Sequence, residues 1–364
     1  MSHRNSGIGG QAVMEGVMMR NKDKYAVSVR LEDGSIVTDI KECKSITEKH
    51  KWMGLPFIRG TVNLIESTVI GMNAMTYSAN FFETEEERIE RAEKEAKKAA
   101  KKAARRGEAD ASAEKAESKE NEKPEEKGFM TGPVLAVTLL LSFGLAMVFF
   151  MLIPQVISEL VCRIFDAPQG GLLGDIVEGV MRLVIFIVYV KLISLMNDIK
   201  RTFMYHGAEH KSINCLEEGL PLTVENVKKS SKFHKRCGTS FLIYVMIIAI
   251  IVLIFVPDVT AFNPLVNFLL RFLMRLAILP IIAGISYEVL KFSGTHENSC
   301  TRVLSKPGFW MQSLTVKEPT DDMIEVGIKS VEAVFDWRSF LKEKFPGVQI
   351  PEAETSESDS SEES

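Results

Sequence analysis

Four long apolar runs dominate the pattern of hydrophobic and polar positions along the chain. They lie at about 133–154, 176–197, 240–257 and 268–290. Each run approaches or exceeds the ~18–20 residues that a helix needs to cross ~30 Å of hydrocarbon. Core helices of a soluble domain are the alternative, but four such runs exceed what a domain of this size usually buries. The pattern therefore predicts an α-helical integral membrane protein with about four transmembrane helices.

Lys and Arg are distributed unequally between the connections of these runs. The segment 198–239 is rich in both, whereas the connection 155–175 offers only Arg163 and 258–267 offers neither. The positive-inside rule places 198–239 in the cytoplasm, and four spans then place both termini there. We expect a multi-pass protein of the cell (inner) membrane, with the lipid bilayer as a partner. The formal net charge of -4 gives no reason to expect a nucleic-acid partner.

The pattern changes ahead of the first apolar run. Residues 25–31 and 36–43 read as two strands around Asp33-Gly34, which predicts a β-hairpin. The apolar residues of 56–82 predict a helix that lies on the inner leaflet; a fifth span and a soluble core helix are the alternatives. Residues 1–82 are therefore predicted to form a small α+β N-terminal cytosolic unit with an interfacial helix.

Composition divides the rest of the chain. Residues 83–128 are a charged, low-complexity segment of Glu, Lys and Ala, which predicts a linker. The membrane domain is predicted to occupy 129–295 and to contain 198–239 as a cytosolic His/Cys loop. A cytosolic helical segment is predicted at 296–345, and a disordered acidic tail at 346–364.

Candidate chemistry is concentrated in the run Tyr205-His206-Gly207-Ala208-Glu209-His210-Lys211. In a helix, His206 and His210 lie one turn apart on one face and can hold one metal ion. The H-x-x-E-H spacing is that of the inverted zincins, and Glu209 stands beside the imidazoles as a candidate proton carrier. Binding of lipid phosphates by the His pair and Lys211 is the alternative.

The helix that contains these residues is predicted to continue from the second apolar run and to end near Gly219. Three other residues are candidates for a further metal ligand: His234, Cys237 and Glu288. For Glu288, an ion pair with Lys291 is the alternative. These donors suit a divalent metal, zinc above all, with iron or manganese as alternatives.

Charged residues also interrupt two of the apolar runs. Glu178 and Arg182 lie one turn apart on the second run, and Arg271 and Arg275 lie one turn apart on the fourth. Charges at such depth usually pair across helices, so we expect structural ion pairs. A translocation path is the alternative.

Several motifs are distinctive: Gly9-Gly10-Gln11-Ala12-Val13-Met14-Glu15-Gly16, Arg201-Thr202-Phe203-Met204-Tyr205-His206-Gly207-Ala208-Glu209-His210, Arg236-Cys237-Gly238-Thr239 and Ala283-Gly284-Ile285-Ser286-Tyr287-Glu288. Through them the chain resembles the YqhQ-like family of bacterial multi-pass membrane proteins, apart from 83–128 and the acidic tail. That family is a domain of unknown function that has been labelled a predicted metal-dependent enzyme. The resemblance implies that His206, Glu209, His210, Cys237 and Glu288 belong to the family's pattern.

These observations favour a membrane-embedded, metal-dependent enzyme of hydrolase type that acts at the cytosolic membrane surface. His206 and His210 would hold the metal, and Glu209 would move protons. A non-enzymatic scaffold or sensor with a structural metal site is one alternative. A small transporter that uses the charges of the apolar runs is another. The sequence names neither a substrate nor a protein partner.

Overall fold

The computed structural model describes residues 4–43, 45, 51–82, 140–142, 144–168, 171–256, 263–296 and 298–350. The predicted linker 83–128 and most of the predicted acidic tail lie outside these residues. The described part of the chain is mostly helical and carries a small antiparallel sheet at its N-terminus.

The sheet is a meander of four strands: β1 (Gly9–Val13), β2 (Gly16–Asn21), β3 (Lys24–Arg30) and β4 (Ile36–Glu42). The predicted hairpin is confirmed, because β3 pairs with β4 and Gly34 takes a left-handed φ of 86° in the turn between them. The hairpin of β1 and β2 was not predicted. Nearly all of β2 is buried on both faces, so it lacks the alternation by which a half-exposed strand is recognised.

The helices are α1 (Ile58–Ala79), α2 (Ile153–Ile164), α3 (Leu172–Ile193), α4 (Asn197–Glu217), α5 (Val224–Lys229), α6 (Gly238–Leu253), α7 (Pro264–Thr295), α8 (Ser299–Thr315), α9 (Asp321–Val334) and α10 (Trp337–Lys344). A 3-10 turn at Lys51–Gly54 precedes α1, and a π-helical turn at Val148–Leu152 leads into α2.

The prediction that the His-containing helix continues from the second apolar run is wrong. α3 ends at Ile193, and α4 begins at Asn197 after Met196 adopts an extended conformation with ψ 135°. The break redirects the chain, so the histidines lie on a helix of their own. Its end agrees with the prediction, because α4 stops at Glu217 and Gly219 takes a positive φ of 82°.

The sheet is covered on both faces. Ala12, Val17, Met19 and Ala26 pack with residues of α4 and α9, and the hydroxyl of Ser330 on α9 donates to the carbonyls of Val17 and Ala26. The opposite face carries Val13, Met18 and Val27 against Ile70 and Ala74 of α1. Segments that are far apart in sequence therefore form one body, in which β1 lies directly against the His helix α4.

Two helices among the described residues are long and apolar enough to cross a membrane: Leu140–Ile164 and Phe272–Thr295, the second within α7. Four such helices were expected, so the prediction is supported only in part. Charged residues interrupt α3, and α6 has only 16 residues. The helix Leu140–Ile164 extends ten residues into the connection that was expected at 155–175 and so shortens that connection.

The expected pairing of charges in the apolar runs is present for Glu178, Arg182 and Arg275, and the side chain of Arg271 lies outside the described part of the chain. The carboxylate of Glu178 on α3 accepts from Arg182 at 2.5 Å and from Arg275 on α7 at 2.5 and 3.0 Å. One carboxylate is thus shared by two guanidinium groups, and it joins α3 to α7.

Candidate metal centre

Two helices bring the candidate ligands together. His206 and His210 lie on α4, and Cys237 is the residue that caps the N-terminus of α6, where its Sγ accepts from the Thr239 amide at 3.4 Å. The Sγ of Cys237 is 3.3 Å from Nε2 of His206. One ligand atom from each of His206, His210 and Cys237 lies within 4.8 Å of the others, which is close enough for all three to hold one ion.

Backbone carbonyls orient both imidazoles. Nδ1 of His206 is 3.1 Å from the carbonyl oxygen of Thr315, and Nδ1 of His210 is 2.6 Å from that of Lys232. Because a carbonyl only accepts, Nδ1 of each ring carries a proton, so Nε2 is the nitrogen that has the lone pair when the ring is neutral. Nε2 of His210 is buried and has no hydrogen-bond partner among the described residues. Metal-binding histidines commonly donate from their other ring nitrogen to a group such as the carbonyls of Thr315 and Lys232.

Glu209 lies beside the three residues and is 4% exposed. Its Oε2 is 3.7 Å from Nε2 of His206 and has no hydrogen-bond partner among the described residues. Gly10 of β1 lies over the carboxylate: a Cβ at that position would be 2.7 Å from Cγ of Glu209. Burial raises the pKa of the Glu209 carboxyl, although His210 and His206 oppose the rise. The group is therefore a buried carboxyl whose affinity for a proton is increased.

The Cys237 thiol and the His206 imidazole stabilise each other's charged forms. Burial alone would raise the pKa of Cys237, but His210 and His206 outweigh burial and hold the pKa of this thiol well below its usual range. Burial alone would lower the pKa of His206, and Cys237 raises it to about 9. The thiolate is the form of cysteine that binds metals and attacks electrophiles.

His234 lies next to this group but outside it. Its ring centroid is 5.6 Å from that of His210, and its Nε2 is 3.9 Å from Oε2 of Glu217. Burial lowers the pKa of His234 to about 4, which keeps the ring neutral. The side chain of Gln312 on α8 holds the His234 backbone, accepting from its amide at 2.9 Å and donating to its carbonyl at 2.8 Å.

Glu288 is not brought to the group. Its carboxylate accepts two hydrogen bonds from the guanidinium group of Arg59 on α1, at 2.8 and 2.6 Å. Arg59, and not Lys291, is therefore the partner with which this acid forms its ion pair. The contact between α1 and α7 is tertiary, so nothing in the local sequence around Glu288 indicated it.

Sequence reasoning also missed the groups that position the site. Thr315 and Lys232 act through backbone carbonyls, which any residue type provides, so no sequence signal identified them. Gly10 belongs to the motif Gly9–Gly16 that supports the family resemblance, but its contact with Glu209 depends on the unpredicted strand β1.

Comparison with known proteins agrees with the resemblance found in the sequence. The model of a family described as "Protein of unknown function (DUF1385)" matches residues 55–337. The chain belongs to this family. It is also similar to the "Uncharacterized protein YqhQ" of Bacillus subtilis (strain 168), with 34% identity over 326 residues, which cover 88% of this chain and 90% of that protein. No solved structure matched the chain.

Proposed function

We propose that this protein is a metal-dependent enzyme of hydrolase type that acts at the cytosolic surface of a membrane. The observation that carries the proposal is the group of His206, His210 and Cys237, whose ligand atoms lie within 4.8 Å of one another beside the buried carboxyl of Glu209. Nε2 of His210 is buried and has no hydrogen-bond partner among the described residues, which is costly unless something binds it.

The donor set fits a divalent metal such as zinc. Two imidazoles and one thiolate are among the ligands that zinc prefers, and catalytic zinc sites have three protein ligands and one open position. When bound, such an ion supplies Lewis-acid chemistry and the activation of water at neutral pH. His206, His210 and Cys237 would hold it, and the carbonyls of Thr315 and Lys232 would fix the orientation of the two imidazoles.

Glu209 has the position and environment of a proton carrier. Its Oε2 is 3.7 Å from His206 and is buried without a hydrogen-bond partner among the described residues, so it is available to a reacting group. Because burial raises its pKa, the carboxyl takes up a proton more readily than an exposed glutamate does. Gly10 lies over it and limits the access of bulk water.

The membrane placement rests on the surface of the helices. Exposed aliphatic side chains line α3 and α7, among them Val180, Val184, Val188, Leu269, Leu273 and Leu276. Continuous apolar surface on this scale marks contact with a membrane or with another protein. Cys237 immediately precedes the apolar helix α6, so the candidate centre would lie at the level of the membrane surface. The Lys and Arg residues of 198–239 favour its cytosolic side.

One observation favours a second candidate function. Cys237 and His206 are 3.3 Å apart, and the thiol lies at the N-terminus of α6. The same arrangement suits a thiol hydrolase, in which His206 removes the proton from Cys237 and the thiolate attacks a carbonyl carbon. The bond to the leaving group then breaks, His206 gives that group the proton, and water releases the acyl group from the sulfur. The two candidates differ in whether Cys237 is a ligand or a nucleophile.

The metal-dependent hydrolase and the thiol hydrolase can be distinguished by the metal content and the thiol reactivity of the detergent-purified protein. We expect a stoichiometric divalent metal, and alkylation of Cys237 by iodoacetamide only after a chelator is added. His206→Ala combined with His210→Ala should remove the metal. His296→Ala, which changes an exposed histidine, should retain it. Metal-free wild-type protein with a rapidly alkylated Cys237 would contradict the metal site and favour the thiol hydrolase.

Glu209→Gln separates an enzyme from a scaffold with a structural metal. Because the amide has the size of the carboxyl, we expect the variant to keep its metal and its thermal stability. Loss of one proton carrier typically lowers a rate by ~10²–10⁴-fold, so complementation of a strain that needs the protein should fail. Glu343→Gln, at an exposed position, is the control. A fully functional Glu209→Gln variant would exclude the catalytic role, and a loss of metal would make Glu209 a ligand.

A further inference from the structure

Helix α1 has two unlike faces. One face is buried and comprises Gly60, Glu66, Ile70, Gly71, Ala74 and Ser78. The other presents Ile58, Leu64, Ile65, Val69 and Met72, which are between 40% and 66% exposed. The two charged residues of α1 both form ion pairs on its inner side, Arg59 with Glu288 and Glu66 with Arg20. The exposed residues of α1 therefore carry no charge, and Ser67, Thr68 and Asn73 are the polar ones among them.

The exposed surface continues into the turn that precedes α1. Trp52, Leu55 and Phe57 are 58%, 53% and 55% exposed. Thr68 lies on the exposed side of α1, and its hydroxyl donates to the carbonyl of Leu64 at 2.8 Å, so it needs no water. Internal satisfaction of polar groups is what a helix in lipid requires.

The start of α1 crosses α7 inside the candidate span Phe272–Thr295. Glycines make the crossing close: a Cβ at Gly284 would be 2.5 Å from the carbonyl oxygen of Phe57, and one at Gly60 would be 2.7 Å from Cβ of Tyr287. The hydroxyl of Thr61 donates to the carbonyl of Pro280 at 3.0 Å. Close approach at small residues is typical of helix pairs in membranes.

This crossing sets the depth of α1. Gly284 lies eleven residues before the end of α7 at Thr295, which corresponds to about 16 Å along the helix axis. A segment that contacts α7 at Pro280 and Gly284 is therefore at the depth of acyl chains wherever α7 spans a bilayer. Beyond Met72 the helix carries the exposed Asn73 and then reaches the sheet.

We infer that α1 and the turn 52–57 are immersed in the inner leaflet, with the exposed face of α1 against acyl chains. This inference rests on the proposed membrane placement of α7. Lipid fits the face better than a protein does, because the described residues of the face carry no charge and α7, which α1 crosses, also exposes Leu276 and Ile281.

The immersed helix also reaches the candidate centre through one strand. The side chain of Gln11 on β1 packs against Gly71 of α1, and the adjacent Gly10 lies over Glu209. The strand that covers the proton carrier is therefore anchored on the lipid-contacting helix.

Three exposed isoleucines provide a matched test. Ile65 on α1, Ile281 on α7 and Ile40 on β4 are 57%, 57% and 55% exposed. Each is replaced by Trp in the full-length chain, which is reconstituted in vesicles of phosphatidylcholine and phosphatidylglycerol with either plain or dibrominated acyl chains. The wild-type chain has three tryptophans, and its fluorescence is subtracted from that of each variant. The remaining fluorescence of the new Trp is then compared between plain and brominated vesicles.

We expect brominated lipid to remove most of the added fluorescence of Ile65→Trp and Ile281→Trp and little of that of Ile40→Trp. Quenching of Ile281→Trp without quenching of Ile65→Trp would overturn the immersion of α1 and leave the span of α7 intact. An unquenched Ile281→Trp would overturn the membrane placement itself. Protection of Ile65→Trp from both brominated lipid and aqueous iodide would overturn the lipid contact and indicate that a second copy of this chain covers the face. Val69→Trp repeats the test if Ile65→Trp does not fold.

Discussion

At the scale of single residues, one buried carboxylate joins three parts of the chain. Glu217, at the end of α4, is 2% exposed. It accepts from the amide and the hydroxyl of Ser6, both at 2.8 Å, and from Arg236 at 2.5 Å. Burial alone would raise the pKa of Glu217, but His234 and Arg236 outweigh burial and lower it to about 2. The carboxylate thereby fixes the N-terminal segment and the residues around His234.

Glu217→Gln should therefore destabilise the protein in a pH-dependent way. A carboxyl whose pKa falls from 4.5 to about 2 on folding contributes stability that is fully present above pH 4.5. That stability is lost as the pH falls towards 2. We expect a loss of roughly 1.5–3 kcal/mol at pH 7, the usual cost of hydrogen bonds to a charged group.

Denaturant unfolding of the detergent-purified variant and of the wild type at a series of pH values measures this loss. The two proteins should converge in stability as the solution is acidified through the window between the two pKa values. Glu225→Gln, at a position that is 79% exposed, is the control and should change little. A deficit of constant size at every pH would show that packing, and not the charge, is responsible.

At the scale of elements, the crossing of α1 and α7 connects the sheet to the apolar helices. Arg59 and Glu288 form an ion pair across it, and Asn63 donates to the hydroxyl of Tyr287 at 2.8 Å. The glycines Gly60 and Gly284 allow these contacts, because each stands where a Cβ would collide with the opposite element. The sheet packs against the second half of the same helix, so its position depends on the crossing.

Gly284→Ala should consequently separate α1 from α7. The new methyl group would be 2.5 Å from the carbonyl oxygen of Phe57, and backbone atoms must move to relieve the contact. Overpacking of this kind typically costs about 1–3 kcal/mol, which we expect as a lower midpoint of thermal unfolding. In the control Gly54→Ala, no heavy atom lies within 4 Å of the added methyl group. Equal midpoints for the two variants would contradict the close approach of Gly284 to the carbonyl of Phe57.

At the scale of the whole molecule, a body of sheet and helices adjoins a set of apolar helices. The sheet, α4 and α9 share one core, although α9 begins about 300 residues after β2. Such a core requires the N-terminal sheet, the segment 198–239 and the C-terminal helices to lie on the same side of any membrane. The uneven distribution of Lys and Arg favours the cytosolic side.

Reporter fusions test this arrangement. A reporter inserted near residue 170 should be active outside the cytoplasm. A reporter attached after residue 364 should be active inside, because the basic segment 198–239 and the C-terminal helices share a side. A C-terminal reporter that is active outside would contradict the topology and the cytosolic placement of the candidate centre.

The sequence by itself determined the features that depend on neighbouring residues. The hairpin of β3 and β4 follows from alternation around Asp33-Gly34, and the end of α4 follows from Gly219. The spacing of His206 and His210 places both imidazoles on one face of a helix before any packing is known. The apolar runs marked where helices would form, and the motifs identified the family. Each of these depends on local geometry or on composition.

The tertiary structure decided everything that joins distant parts of the chain. Cys237, His234 and Glu288 were equivalent candidates in the sequence, and only packing brings Cys237 to the imidazoles and Glu288 to Arg59. The strand β1 was not foreseen, so its contact with Glu209 was not foreseen either. The sequence predicted that the charges of α3 pair across helices, but only the structure identifies Arg275 as the partner of Glu178. Such contacts depend on how helices cross, and periodicity along a single segment contains no information about that.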